Sequence, residues 1–452
     1  MIGIGGVGMS GLAAIMAEKG YRVSGSDLRM SQMTTRLETL GVRVYVGHDA
    51  ANVGDAEMVV ASAAVPPENP ELAVAREKGL PILSRAQLLG RLMEGTLGIA
   101  VAGTHGKTTT TSMLAGILVA GKLDPTILIG GDFERLHGNA RLGKGEVFLT
   151  EACEAFNSFL ELHPRIAVVT NIEADHLEFH GSLEGVIATF KQFLSQVSPS
   201  GCAVLCIDSP HVREIMPSVD RRMVTYGFSA DADLRADDID LSSPQPSFRV
   251  VCAGTDCGRL TLRTPGRHNV QNALAAMAVG HELGVGFDTM FSVLADFRGA
   301  ERRFEVLGVE SGITVVDDYA HHPTEVRATL EAARAFGRRV VVVFQPHQYS
   351  RTVAFMDDFA ESLSLADVVV LTEIYAAREQ PMPDVSASMV GDIVRSKHPG
   401  KEVIFIPDKT KVAESLAPRL ESGDLVIVMG AGDIRAAGEA LVSLLRSRVK
   451  ES

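Results

Sequence analysis

Six consecutive residues, Gly103-Thr104-His105-Gly106-Lys107-Thr108, bring together the groups that hold the phosphates of a nucleotide. Backbone N–H groups of a glycine turn converge on an anion, and the N-terminus of a following helix adds positive potential. Lys107 supplies a cation for the outer phosphates and Thr108 a hydroxyl for Mg²⁺, with Thr109 continuing the run. The strict Walker pattern asks for a glycine five residues before Gly106, and Val101 stands there. The chemistry survives that mismatch, because Gly103 and Gly106 still flank the turn. A chance Gly-Lys-Thr in a surface turn is the competing reading. The apolar run Ile99-Ala100-Val101-Ala102 favours a strand–turn–helix context, which is what an ATP-binding phosphate loop needs.

Other polar groups fall where strands are expected to end. A strand over residues 146–150 delivers Glu151, and one over 166–170 delivers Asn171-Ile172-Glu173-Ala174-Asp175-His176. Acidic and imidazole groups beside a phosphate loop complete an Mg²⁺–ATP site; the alternative is that Asn171 and Asp175 are helix N-caps. His268, Asn269 and Asn272 cluster at the start of a helix expected over 273–283, where capping by Asn269 is an equal reading. At the N-terminus, Gly3-Ile4-Gly5-Gly6-Val7-Gly8 matches G-x-G-x-x-G and runs into a helix over residues 9–19. A strand over 21–25 then ends at Ser26-Asp27, a dinucleotide-type βαβ opening. Only Met1 and Ile2 precede the glycines, so the first strand is barely present. His48 and Asn69 fall in later loops, where each also reads as a turn residue.

Strands alternating with helices throughout predict an α/β protein with parallel sheets and ligand groups at the strand ends. The 452 residues predict about three domains, with breaks placing them at 1–92, 93–296 and 297–452. Residues 230–263 read as short polar strands and turns. In the last segment, helix 323–335 opens at Pro323 and a buried strand over 340–344 ends at Gln345-Pro346-His347. A net charge of −13 argues against nucleic acid or an anionic membrane as partner, so an anionic substrate must be held by local cations and helix N-termini. No apolar run approaches a membrane span and no secretory segment is read. Five cysteines in so long a chain fit a reducing cytoplasm, as buried structural residues rather than a zinc site.

Taken together, the motifs resemble the Mur ligases, the ATP-dependent enzymes that build the bacterial cell-wall peptide. The resemblance spans the chain: the N-terminal glycine turn, Gly103 to Thr110, Gly138-Asn139-Ala140, Thr170 to His176, Arg302-Arg303-Phe304, Asp317 to Glu325 and Phe344 to His347. It implies a Rossmann-like N-terminal domain, a central P-loop ATP-binding α/β domain and a C-terminal Rossmann-like α/β domain that receives an amino acid. It further implies that L-alanine is joined to the lactyl carboxylate of UDP-N-acetylmuramate through an acyl phosphate, with ATP and Mg²⁺, in a monomer or homodimer. Gly5, Gly6, Val7, Gly8, Ser26, Asp27 and His48 would face the UDP-sugar. Gly103 to Thr109, with Lys107 on the β/γ-phosphates, would hold ATP. Thr108, Glu151 and His176 would serve the metal, His176 reaching a second ion or the reacting oxygens. His268, Asn269 and Asn272 would face adenine, Arg303 the phosphates and Asp318 the ribose. Tyr319, His347 and Arg351 would surround the alanine and the reacting groups, Arg351 taking its carboxylate.

The chain departs from the family pattern where Cys153 replaces a common Asp and Gln348 a common Arg. Lys191 is the nearest candidate for the carbamylated lysine of some relatives, against a surface-helix reading. Within the family, the alternative is a recycling ligase that attaches an intact peptide; that relative carries Cys and Phe near the turn where this chain has Gly6-Val7. Outside it, the glycine opening alone also fits an NAD-dependent dehydrogenase, which leaves the phosphate loop unexplained. A non-catalytic nucleotide-binding protein is the third alternative, although Lys107, Glu151 and His176 are all present.

Overall fold

The computed structural model describes residues 1–133 and 138–451. The chain divides into two compact units. The first comprises Met1–Asp237, Arg249–Leu260 and Gln271–Asp296; the second comprises Asp238–Phe248, Thr261–Val270 and Phe297–Ser452.

Strand Leu97–Ala102 is central to the first unit. It pairs in parallel with Val147–Glu151 on one side and Ile166–Val169 on the other. Ile99, Ala100, Val101 and Ala102 are all fully buried, as a parallel strand covered on both faces requires. Thr126–Phe133 and Gly138–Arg141 extend the sheet past Val147–Glu151, while Cys202–Cys206 and Arg222–Gly227 extend it past Ile166–Val169. Its far edge continues through Leu234–Asp240, Ser247–Cys252 and Thr255–Thr261, so the polar stretch after residue 230 is strand, added to the same sheet. Burial raises the thiols of Cys202 and Cys206 to about 11, as suits inert residues of a core strand.

The first residues form a smaller parallel arrangement. Ser24–Asp27 pairs with Arg43–Val46, and Val59–Ala61 with Ile82–Ser84. Ile2 alone bridges Ala61 on one side and Ser26 on the other, so the missing first strand is reduced to one residue. Helix Val7–Glu18 lies against strand Gly138–Arg141. Gly11 makes that contact possible, since a Cβ there would fall 2.3 Å from Leu128 Cδ1.

The second unit holds a six-stranded sheet ordered Glu305–Glu310, Ile313–Asp318, Leu425–Met429, Val340–Phe344, Val368–Leu371 and Glu402–Phe405. The first pair is antiparallel and the rest parallel. Helix Pro323–Arg334 starts at its proline as expected.

Two boundaries differ from the sequence reading by more than two residues, and others shift by one or two. The strand placed over 21–25 is Ser24–Asp27, because Tyr21 N still bonds Met16 O at the helix end. The helix placed over 273–283 is Arg267–Glu282. Asn269 therefore lies inside its first turn and donates from Nδ2 to Pro265 O at 2.7 Å, instead of accepting as a cap. No helix among the described residues is long and apolar enough to cross a membrane.

Candidate active site

Three neighbouring parallel strands of the first unit end side by side, which sets the loops 103–106, 151–154 and 170–176 next to one another. The phosphate loop is braced by the last of these. Asn171 Oδ1 accepts from His105 N at 2.8 Å, and Asn171 Nδ2 donates to His105 O at 3.2 Å. Thr170 Oγ1 adds a 2.6 Å bond to the same carbonyl. The buried Thr104 accepts from Glu173 N at 2.9 Å, and His105 Nε2 lies 3.3 Å from Glu173 Oε2. Asn171 is thus a loop brace and not a helix cap. Gly103 has φ +134°, and a Cβ would meet Thr170 Oγ1 at 1.9 Å; Gly106 has φ +83° and would meet Asn272 Oδ1 at 2.5 Å. Both positions need glycine for space as well as conformation. Asn272 also accepts from Thr110 Oγ1 at 3.2 Å, so it seats the helix that begins at Lys107. Thr109 is buried in that helix's first turn.

Lys107 Nζ donates to Gly103 O at 2.5 Å and Thr104 O at 3.1 Å, and to Glu154 at 3.0 and 3.1 Å. Burial disfavours its ammonium, but the Glu154 carboxylate outweighs that and holds the pKa above the ordinary lysine value. Glu154 is only 2% exposed and was not singled out from the sequence; the sole sign of it is the Glu-x-x-Glu spacing with Glu151. Thr108 Oγ1 donates to Glu151 Oε2 at 3.1 Å, and Glu151 Oε1 accepts from Gly130 N at 2.7 Å. A hydroxyl and a carboxylate held together are the hard oxygen donors that Mg²⁺ takes, so the donor set fits that ion. His176 adopts a left-handed conformation at the head of the short helix Leu177–His180, with its N–H on Asp175 Oδ1 at 2.8 Å. Lys191 is exposed on helix Leu183–Ser195.

The N-terminal glycine turn is closed from beneath by Asp27, whose Oδ2 accepts from Gly5 N at 2.8 Å. Gly6 caps helix Val7–Glu18 with no side-chain acceptor, leaving the N–H groups around Val7 and Gly8 to a ligand or water. Asn139 Nδ2 donates to Val7 O at 2.5 Å, which ties the turn to the neighbouring sheet. Ser26, His48 and Glu71 meet in the interior. Ser26 Oγ donates to Glu71 Oε2 at 2.8 Å, and His48 Nδ1 lies 3.1 Å from Glu71 Oε1, which also receives Asn52 Nδ2 at 3.2 Å. A carboxylate can only accept here, so Nδ1 carries a proton.

In the second unit, Asp318 accepts from Phe304 N at 2.9 Å and Ala320 N at 2.8 Å. Burial raises its pKa from 3.8 to about 6 against the pull of Arg303. Burial, reinforced by Arg303, lowers His268 from 6.5 to about 4. These two shifts act on stability with opposite sign. Between pH 3.8 and 6 native Asp318 holds a proton that the unfolded chain has lost, so stability falls as pH rises. Between pH 4 and 6.5 the unfolded chain holds a proton that native His268 lacks, so stability rises with pH. Each effect is worth at most about 3 kcal/mol, and across pH 4–6 they offset. His268→Gln should unmask the Asp318 slope, visible as a urea midpoint that drops from pH 4 to pH 6 more steeply than in the parent. Equal slopes would contradict the assignment.

Arg303 Nη1 lies 3.4 Å from Glu325 Oε1, and its guanidinium is 5.3 Å from the Tyr319 ring centroid. Arg302, part of the Arg302-Arg303-Phe304 motif but given no role from sequence, sits 5.0 Å from the same ring and bonds Asp317 Oδ2 at 2.9 Å and Gly430 O at 2.7 Å. Tyr319, His321, His347 and Tyr375 form an aromatic row with centroid steps of 5.3, 5.7 and 5.6 Å. The buried Arg351 points its Nη1 to within 3.4 Å of His347 Nδ1. The structure thus brings together Tyr319, His347 and Arg351, with His321 and Tyr375 as the links that the sequence did not reveal.

Similarity to known proteins runs over nearly the full chain. Residues 1–96 match the Mur ligase family, catalytic domain; 101–280 the Mur ligase middle domain; and 302–432 the Mur ligase, glutamate ligase domain. A UDP-N-acetylmuramate–L-alanine ligase of Pelotomaculum thermopropionicum is 48% identical over 99% of this chain and 98% of its own. One from a Geobacter species is 48% identical over 100% and 98%. The crystal structure of UDP-N-acetylmuramate-alanine ligase MurC from Thermotoga maritima superposes with a TM-score of 0.84 at 32% identity, covering 99% of this chain and 98% of that one. The murein peptide ligase of Psychrobacter arcticus gives 0.72 at 25%, with 98% of each chain covered. A braced phosphate loop with its lysine on a buried glutamate, set in a chain alike from end to end at such identity, leaves one conclusion: the chain belongs to the Mur ligase family.

Proposed function

We infer that this chain uses ATP to join the amine of L-alanine to the lactyl carboxylate of UDP-N-acetylmuramate, in the cytoplasmic synthesis of peptidoglycan precursors. The observation that carries this reading is the 48% identity to UDP-N-acetylmuramate–L-alanine ligases across virtually the whole of both chains.

The reaction needs activation because a carboxylate is a poor electrophile. One lactyl oxygen attacks the γ-phosphorus and the bond to ADP breaks, giving an acyl phosphate. The alanine nitrogen then attacks the acyl carbon, inorganic phosphate leaves, and the nitrogen loses a proton. In-line transfer depends on positioning and charge neutralisation and uses no protein nucleophile. The loop N–H groups from Gly103 to Lys107 cradle the phosphates, and Lys107 turns its ammonium from Glu154 onto the β- and γ-oxygens. Thr108 and Glu151 would hold Mg²⁺, with His176 beside them, and the ion would supply positive charge against the phosphates. The glycine turn of Gly5 to Gly8 takes the UDP diphosphate, with Ser26, Asp27 and His48 around its nucleoside. Asp318 faces the ATP ribose, with His268, Asn269 and Asn272 serving its adenine and Arg303 its phosphates. Arg351 takes the alanine carboxylate, beside Tyr319 and His347.

A substrate panel tests the reading: phosphate release is measured with UDP-N-acetylmuramate and ATP fixed and the amine varied. L-alanine should support turnover and a wall tripeptide should not. Turnover with the tripeptide but not with L-alanine would make the chain a recycling ligase.

A further inference from the structure

Arg85 is the first residue of helix Arg85–Met93, where a cation opposes the helix dipole. Ser84 and Gln87 cap that helix through a reciprocal capping box, so Arg85 is not needed to finish it. Its side chain runs instead across the glycine turn of helix Val7–Glu18: a Cβ on Gly8 would lie 3.0 Å from Arg85 Cδ and 3.1 Å from Nη1. The guanidinium is therefore packed on the positive pole of a second helix. Among the described residues it has neither a carboxylate nor a hydrogen-bond acceptor within reach. That is unusual in a chain with 56 acidic side chains against 43 lysines and arginines. Asp27 takes the Gly5 N–H from beneath, and the Arg85 guanidinium lies with the N–H groups at Val7 and Gly8, which no side chain caps, so a ligand anion can join the two.

We propose that Arg85 is a positioning residue that clamps the diphosphate of the UDP-sugar against the N–H groups of the Val7–Glu18 helix. The assignment rests on the reading of the glycine turn as the UDP-sugar site. The planar fork of an arginine matches two phosphate oxygens at once, while the helix N–H groups take others, so the diphosphate is fixed in both place and rotation. Gly8 then has a definite task. Any side chain there would push the guanidinium off the helix end.

Calorimetry without ATP tests this, using UDP and UDP-N-acetylmuramate as separate ligands for the full chain and for Arg85→Ala, Arg85→Gln and Arg85→Lys. Arg85→Ala and Arg85→Gln should weaken both ligands by the same factor, roughly 10- to 100-fold. Arg85→Lys should recover part of the loss, since it keeps the charge and gives up the fork. In turnover, the loss should fall on the KM for UDP-N-acetylmuramate, with the KM for ATP unchanged; a merely structural lesion would move both. UDP affinity within twofold of the parent in Arg85→Gln would overturn the proposal. So would a loss confined to UDP-N-acetylmuramate, because the contact would then be to the sugar's carboxylate. Should Arg85→Ala fail to fold, the Gln and Lys variants decide the matter alone. If the parent chain itself binds neither ligand, the UDP-sugar reading fails, an outcome distinct from failure of Arg85.

Discussion

Lys107→Ala is expected to lower ATP turnover by about 10³-fold or more, the scale on which loss of a transition-state charge clamp acts. Binding of UDP-N-acetylmuramate should survive, since the glycine turn proposed to hold it is separate from the phosphate loop. The substitution has a second consequence, because Glu154 would be left buried without its cation. Removing one partner of such a pair costs about 3–5 kcal/mol, so a drop in thermal midpoint is expected as well. Lys107→Ala combined with Glu154→Gln separates the two effects. The double variant should regain much of the stability and none of the turnover, read by denaturation and phosphate release on the same preparation. Normal turnover in either variant would refute the role assigned to the lysine.

Glu151→Gln should lower turnover about 10²-fold and shift half-saturation by Mg²⁺ upward at least about tenfold, by the weight of a charged ligand in metal-assisted phosphoryl transfer. Glutamine keeps the acceptor that Gly130 N uses and a partner for Thr108 Oγ1, so the fold around the strand end should hold. The check is a magnesium titration of phosphate release at saturating ATP, beside the parent. A curve superimposable on that of the parent would remove Glu151 from the metal set.

The phosphate loop was legible because everything that defines it is local: two glycines, a lysine and a threonine follow one buried strand. What holds the loop in shape was not. Glu154 meets Lys107 across 47 residues, and Asn171 grips His105 across 66. Neither pairing leaves a mark on spacing. Asn171 reads in sequence as a group beside the phosphates or, alternatively, as a helix cap, and neither reading shows that it braces the loop. The helix expected from 273 starts at Arg267, because the polar run 267–272 reads as a loop in sequence while Asn269 sits inside the first turn with its amide on Pro265 O. In the second unit, Tyr319, His347 and Arg351 are grouped by the family resemblance alone, since Tyr319 lies on a separate segment from the other two. The aromatic row that joins them needs His321 and Tyr375, and Tyr375 reaches His347 through a bridge from a different strand end.

The three parallel strands that end at the phosphate loop act as a ruler. Val101 is paired with Glu151 and Ala102 with Val169, so the interval between the phosphate loop and Glu151 is the fixed pitch of a hydrogen-bond ladder, about 4.8 Å per strand. A ruler of this kind tolerates change unevenly. Extra residues in a connecting loop leave the pitch untouched. Loss of one residue inside Val147–Glu151 would slip the register and turn Glu151 to the opposite face. The spacing that the chemistry depends on is therefore stored in backbone pairing, where substitution of side chains along the strand barely reaches it.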